Sequence, residues 1–215
     1  MKKHENIIQG TQDWFAIKWK KIGGTRAKGL FVKSDTLLIE LASEFTEEFE
    51  LEDSYISQAM ERGNDLEPEA RQELSNYLGL EFKEYGWLQS NECDLLGISP
   101  DGLTEDETIA CEIKCPSRKK HLQYILDNQI PSDYLHQCIH YFTVNSKLEK
   151  LYFCSYRPES IKPLFIKEMN RDTEINLGTK AKTIYKTVNE CAKFALKEAK
   201  EIKKQIDEIV YQLSF

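Results

Sequence analysis

The chain has no run of about 18 apolar residues, the length a membrane-crossing helix needs, so an ordinary helical membrane protein is excluded. Met1-Lys2-Lys3-His4-Glu5 is not followed by the apolar core of a secretory signal, and the expectation is a soluble, unexported protein of the cytoplasm. Its six cysteines lack the paired spacing of a small disulfide scaffold. Cys111, Cys138, Cys154 and Cys191 sit among apolar neighbours, and reduced thiols are expected. Cys111 and Cys115 bracket a Glu-x-Lys element, but no second cysteine pair or suitably spaced histidine completes a zinc or iron–sulfur set. Repeats and low-complexity tracts are absent. So is a surplus of positive charge: the net charge of −7 argues against a generic nucleic-acid binder. The distribution is uneven, however. Lys18, Lys20, Lys21, Arg26, Lys28 and Lys33 crowd one short region, whereas Asp35 to Glu92 is dominated by acids, which would give a basic entry to an acidic body. Solvated helix faces would leave the same acidic stretch.

At 215 residues, 40% hydrophobic and 30% charged, the chain can bury one substantial core, and a single domain over residues 1–215 is expected. The informative residues lie at its centre. Leu95-Leu96-Gly97-Ile98 runs into Ser99-Pro100-Asp101-Gly102, and Thr108 to Lys114 alternates before Pro116 stops it, which predicts two strands joined as a hairpin. Pro-Asp-Gly alone is an ordinary turn and Glu-x-Lys an ordinary strand pair. In this order they bring Asp101, Glu112 and Lys114 together. Mg²⁺ takes oxygen ligands and is held by one or two carboxylates plus substrate phosphate. Glu112 and Lys114 share a strand face, so the lysine could direct a metal-bound water at phosphorus, as a magnesium nuclease requires.

Thr11 reads as the N-cap of a short helix carrying Trp14, Phe15, Ile17 and Trp19, with a core role favoured for both tryptophans over stacking on DNA. Ile22-Gly23-Gly24-Thr25-Arg26 follows as a tight turn that leaves N–H groups and the Thr25 hydroxyl open to an anion. A second helix is expected from Ser34, with Leu37, Leu38, Leu41, Phe45 and Phe49 on its apolar face. A third opens at Glu61, with Leu66, Ala70, Leu74, Tyr77 and Leu78 buried and Glu67 beside them. Glu81 to Gln89 reads as a strand. Ser117 to Val144 reads as two helices divided at Pro131, the second presenting Tyr134, Gln137, Cys138 and Tyr141 on one face. Leu151–Tyr156 and Leu164–Ile166 read as strands, and Asp172 to Gln212 as mostly a long polar helix. The expected class is a mixed α/β (α+β) domain with a central mixed sheet flanked by helices. Its motif-bearing core spans about residues 9–156 and its C-terminal strand and helix residues 160–215.

Together these residues resemble the lambda-exonuclease, or YqaJ-like viral recombinase, branch of the PD-(D/E)xK nucleases. The likeness is carried by Trp14…Lys18…Ile22-Gly23-Gly24-Thr25, Arg62-Gly63…Glu67, Ser99-Pro100-Asp101-Gly102, Glu112-Ile113-Lys114-Cys115-Pro116, and Gln137 with Tyr141. The resemblance implies that Asp101, Glu112 and the Ile113 carbonyl hold Mg²⁺, which Mn²⁺ can replace. Glu67 would bind or orient a second ion, Lys114 activate the water, and Gln137 support both. A first-turn glutamate and a plain helix glutamine are the ordinary alternatives for Glu67 and Gln137. A 5′-phosphate pocket is implied at Lys18, Thr25 and Ser99, with Arg26 and Tyr141 among the DNA-binding residues. The family usually has arginine and serine at the first two positions. Lys18 keeps the charge without the planar fork, a deficit Arg26 would offset; a solvated lysine is the alternative.

The activity implied is 5′-to-3′ degradation of one strand of linear duplex DNA to mononucleotides, leaving 3′ single strands for recombination. A homo-oligomeric ring, as a trimer, a single-strand annealing partner and a phage or prophage origin in a bacterial host are implied too. The rivals are an end-processing nuclease of the CRISPR-adaptation type, a restriction-type endonuclease, and a catalytically silent DNA-binding module. The first carries a four-cysteine iron–sulfur cluster, and only Cys154 and Cys191 lie in the last third here. The last would normally have lost one of Asp101, Glu112 and Lys114.

Overall fold

The computed structural model describes residues 1–32, 34–51, 58–177 and 183–214, with the side chains of 58 and 59 left out. Lys33 of the basic N-terminal group lies outside them. Strand β1 (Lys2–His4) precedes helix α1 (Gln12–Lys18), whose N-cap Thr11 accepts a hydrogen bond from the Trp14 N–H. A 3₁₀ turn, Ala27–Phe31, leads to α2 (Thr36–Thr46) and α3 (Gln58–Leu78). Strands β2 (Trp87–Gln89), β3 (Gly97–Ile98), β4 (Gly102–Leu103) and β5 (Ile109–Lys114) follow. Helices α4 (Arg118–Asp127) and α5 (Ser132–Val144) lead to β6 (Lys150–Tyr156) and β7 (Leu164–Asn170). A small hairpin of β8 (Glu174–Asn176) and β9 (Tyr185–Thr187) introduces α6 (Val188–Leu213).

The main sheet has the order β4-β5-β6-β7, and a second sheet has the order β1-β2-β3. In the main sheet β5 and β6 are parallel, and both outer pairs are antiparallel. A parallel pair needs a long crossover, supplied here by α4 and α5. Ala110, Ile139, Leu151 and Phe153 join a core that reaches to Ala195 and Ile206 of α6. A second cluster of Ala70, Leu74, Phe82, Cys111, Ile113 and Cys154 seats α3 near β5. Among the described residues no helix is long and apolar enough to cross a membrane.

Several local expectations are corrected. The partner of β5 in the hairpin is β4, not Leu95–Ile98; β3 pairs with β2 in the other sheet. Pro100 has no N–H to continue a ladder, so the chain leaves one sheet before Asp101 and joins the other after it. α2 starts at Thr36 and ends before Phe49. α3 already runs at Gln58 and accommodates Pro68, and Tyr77 is turned out to solvent. The strand expected from Glu81 is reduced to Trp87–Gln89 and a bridge between Lys83 and Leu103. α6 begins only at Val188, where Thr187 and Glu190 form a reciprocal capping box. α1 buries no residue, so neither Trp14 nor Trp19 belongs to the core; both are half-buried.

Candidate active site

Pairing of Gly102 with Cys111 across β4 and β5 sets Asp101 beside Glu112. Asp101 Oδ2 accepts the Ile113 N–H at 2.6 Å. The N–H and C=O of one strand residue leave the backbone on the same side, so the Ile113 carbonyl also faces the Asp101 edge. Glu112 is fully buried, and its Oε1 is ion-paired with the Lys114 ammonium on the same strand face. From α5, which the crossover lays over that face, the Tyr141 hydroxyl lies 2.8 Å from Glu112 Oε2 and 3.1 Å from the Cys111 carbonyl. The same hydroxyl receives the Asp101 N–H at 3.4 Å. Tyr141 therefore aligns both acidic segments. It is only 2% exposed, which corrects its expected place among the DNA contacts: a buried hydroxyl engaged on all sides has nothing left for DNA.

The electrostatics follow from burying acids together. Burial, then the charge of Glu112, pushes the Asp101 carboxyl well above the usual range. Burial opposes the charge of Lys114, but Glu112 and Asp101 outweigh it and hold the ammonium protonated. The Tyr134 ring of α5 stands 5.3 Å from that ammonium. Glu67, on α3, is turned toward Arg71, whose Nη2 lies 2.8 Å from Glu67 Oε1 and 3.0 Å from Glu84 Oε2. Arg71 Nε also donates to the Asp101 carbonyl. Sequence reading missed Arg71 and Glu84. The four-residue spacing of Glu67 and Arg71 was a signal for the first, whereas Glu84 arrives from a distant loop. Gln137 packs against Gly24, where a Cβ would fall 2.8 Å from Gln137 Cγ, so the glycine turn and α5 meet only because residue 24 has no side chain.

The expected 5′-phosphate residues are dispersed in role. Ser99 Oγ donates to the Gly86 carbonyl at 2.6 Å and accepts the Trp14 indole N–H at 2.7 Å, so its hydroxyl is already engaged. Lys18 Nζ lies 3.3 Å from the centre of the Trp14 ring. Burial, helped by the nearby Arg26 charge, lowers its pKa to about 8. Thr25 is exposed, and Lys18, Thr25 and Arg26 line one cleft of 290 Å³ together with Trp19 and Glu44. Arg26 is tied to the buried Glu44 by Nη1 at 3.0 Å and by Nη2. Its guanidinium is engaged by that carboxylate, so the offset expected from it would require breaking the pair.

Among the described residues no three His, Cys, Asp or Glu side chains gather as a ready-made metal cage. The donor chemistry at Asp101 nevertheless suits a hard cation. Glu112 Oε1 is buried, has no hydrogen-bond partner among the described residues and is ion-paired with Lys114. With Asp101 and the Ile113 carbonyl it makes an all-oxygen set of the kind Mg²⁺ and Mn²⁺ accept.

The chain matches the family described as the YqaJ-like viral recombinase domain over residues 13–147. No curated protein matches it significantly. Among solved structures it is similar to an alkaline exonuclease from Laribacter hongkongensis, with TM-score 0.76, 24% identity, and 95% of this chain and 97% of that one covered. The same exonuclease in complex with dAMP gives TM-score 0.73 and 23% identity, over 95% and 98% of the two chains. A phage-related exonuclease from Haemophilus somnus 129PT gives TM-score 0.54 and 12% identity, over 90% and 96%. These likenesses carry the mixed α/β fold, and the match across most of the chain carries the family: this protein belongs to the YqaJ-like viral recombinase family.

Proposed function

We propose that the protein is a Mg²⁺-dependent exonuclease that digests one strand of linear duplex DNA from its 5′ end, releases mononucleotides and leaves a 3′ single strand for recombination. The observation that carries this reading is the buried pairing of Asp101 and Glu112 with a charged Lys114 at one sheet edge. Mg²⁺ held by Asp101, Glu112 and the Ile113 carbonyl would neutralise the scissile phosphate and polarise a water. Lys114, kept protonated, favours the anionic form of a water hydrogen-bonded to it and orients it for in-line attack. Tyr141 and the Ile113 N–H keep the carboxylates in place, so little reorganisation accompanies the reaction.

Glu67 would hold a second ion in place of its bond to Arg71, and Gln137 would buttress the site from α5. Lys18, in one cleft with Thr25 and linked to Ser99 through Trp14, receives the terminal 5′-phosphate. The similar exonuclease in complex with dAMP supports mononucleotide release. A single domain of this size has little surface with which to enclose a duplex. Processive digestion would thus use a closed ring of copies, such as a trimer, acting with an annealing protein in the host cytoplasm.

The test is digestion of linear duplexes labelled at the 5′ or 3′ terminus, with and without a terminal phosphate, in Mg²⁺ and in chelator. Early release of 5′ label in Mg²⁺ alone supports the reading, and Lys18→Ala should narrow the preference for phosphorylated ends. Cutting of a covalently closed circle would replace it with an endonuclease. Mg²⁺-independent binding without nucleotide release would leave a silent DNA-binding module.

A further inference from the structure

The segment that follows Lys114 is ringed by cations that the candidate site does not use. Arg62 of α3 donates through Nη1 to the Cys115 carbonyl at 3.3 Å, and Arg157, just after β6, donates to the Pro116 carbonyl at 3.2 Å. The two guanidinium groups are thus anchored by consecutive residues of the strand end that carries Lys114. They share one counter-ion: Glu159 takes two bonds from Arg62 Nη2, at 2.9 and 3.0 Å, and lies 3.6 Å from Arg157 Nε. Its side chain is 56% exposed, whereas those of Arg62 and Arg157 are 33% and 20% exposed. Arg118, Lys119 and Lys120 then open α4 from the same segment, all exposed and without an ion pair among the described residues. Five cations thus touch or follow one short segment of a chain whose net charge is −7, and two of them share the Glu159 carboxylate.

An exposed carboxylate that bridges two anchored arginines occupies the place a phosphate would take, since guanidinium forks accept either group with the same geometry. We propose that Arg62 and Arg157 form a clamp for the DNA phosphate backbone, closed by Glu159 in the free protein and extended along α4 by Arg118, Lys119 and Lys120. The inference rests on DNA being the substrate. Glu159 is an internal competitor: it sits on the connection between β6 and β7 and gives way when phosphate displaces it. Exposed ion pairs of this kind contribute little to stability, so the exchange costs the fold little. The clamp is reached through Cys115 and Pro116, whereas Lys18 is reached through Trp14.

The test is equilibrium binding of the whole protein to a fluorescent blunt duplex in chelator, by anisotropy, across a series of salt concentrations. Glu159→Gln should tighten binding by roughly threefold or more, while Arg157→Ala should weaken it by a similar factor and lower the salt slope by about 1. The triple change Arg118→Ala, Lys119→Ala, Lys120→Ala should lower the slope by about 2 to 3. Circular dichroism melts confirm that each variant is folded. Unchanged affinity in Glu159→Gln together with an unchanged slope in Arg157→Ala would overturn the clamp. Since no catalysis is involved, that result is distinct from failure of the nuclease reading, which would be absence of Mg²⁺-dependent cleavage by the unaltered protein.

Discussion

The Tyr141 hydroxyl lies 2.8 Å from Glu112 Oε2 and receives the Asp101 N–H, so one phenol of α5 sets the relative position of two acidic segments from different strands. Tyr141→Phe keeps the ring in the core and removes only that tie. Outer partners of metal ligands are worth about 10–100-fold in metal affinity or activity, and a loss of that size in kcat is expected, with binding of duplex in chelator unchanged. Steady-state digestion at several Mg²⁺ concentrations measures it.

Lys114→Ala removes the charge beside Glu112 and, in the proposed mechanism, the group that orients water. Nucleotide release should fall by roughly 10³-fold or more, as for loss of a principal electrostatic group, while duplex affinity in chelator stays within about twofold. Equal release rates for the variant and the unaltered protein would reject the role.

Arg71 joins α3 to the segment of Asp101 through Glu67, Glu84 and the Asp101 carbonyl. Arg71→Ala leaves two carboxylates facing each other and a carbonyl without its donor, and about 2 kcal/mol of stability should be lost. Arg71→Lys should restore only part, because an ammonium lacks the fork that reaches three acceptors. Urea unfolding of the three proteins gives the numbers.

Divalent cations should stabilise the fold as well as support catalysis. Asp101 and Glu112 are buried side by side, and a cation binding only the folded chain raises the melting temperature by mass action. Mg²⁺ should raise Tm in the unaltered protein, and chelator should reverse it. In Asp101→Asn, which retains an oxygen for the Ile113 N–H, Tm should start higher and the Mg²⁺ shift should vanish.

His140 supplies a pH dependence remote from the carboxylates. Its Nε2 lies 3.0 Å from the Ile22 carbonyl and 2.9 Å from the Gly97 carbonyl, while Nδ1 is buried with no hydrogen-bond partner among the described residues. Burial lowers its pKa to about 4. Below the ordinary value of 6.5 the unfolded chain takes up a proton that the folded chain refuses, so stability is full above pH 6.5 and falls as pH drops toward about 4. The loss amounts to about 3 kcal/mol across that window. Urea midpoints at pH 7.5 and pH 4.5 should differ less in His140→Asn than in the unaltered protein.

The order and class of most elements were legible because the signals are local. Thr11 caps a helix, Pro131 divides two helices, and the alternation from Thr108 to Lys114 makes a strand. Errors gathered where partners are distant. Leu95–Ile98 has the composition of a buried strand, but composition says nothing about which sheet receives it. Trp14 looked like core and instead spans to Gly86 and Ser99, contacts at sequence separations of 72 and 85 residues.

The amino-acid order by itself gathered Asp101, Glu112 and Lys114 into one candidate site, and a period of two puts Glu112 and Lys114 on one face, although the strand that returns against β5 is Gly102–Leu103 and not the run before Pro100. It also set the family to which the chain belongs. Only the tertiary structure decided which groups serve those three. Tyr141 reaches them because the parallel crossover lays α5 over the sheet, Arg71 because α3 packs beside β5, and Arg26 is held by Glu44 because α2 folds back on the glycine turn. Such contacts depend on how faces pack over tens of residues, and no local pattern encodes that distance.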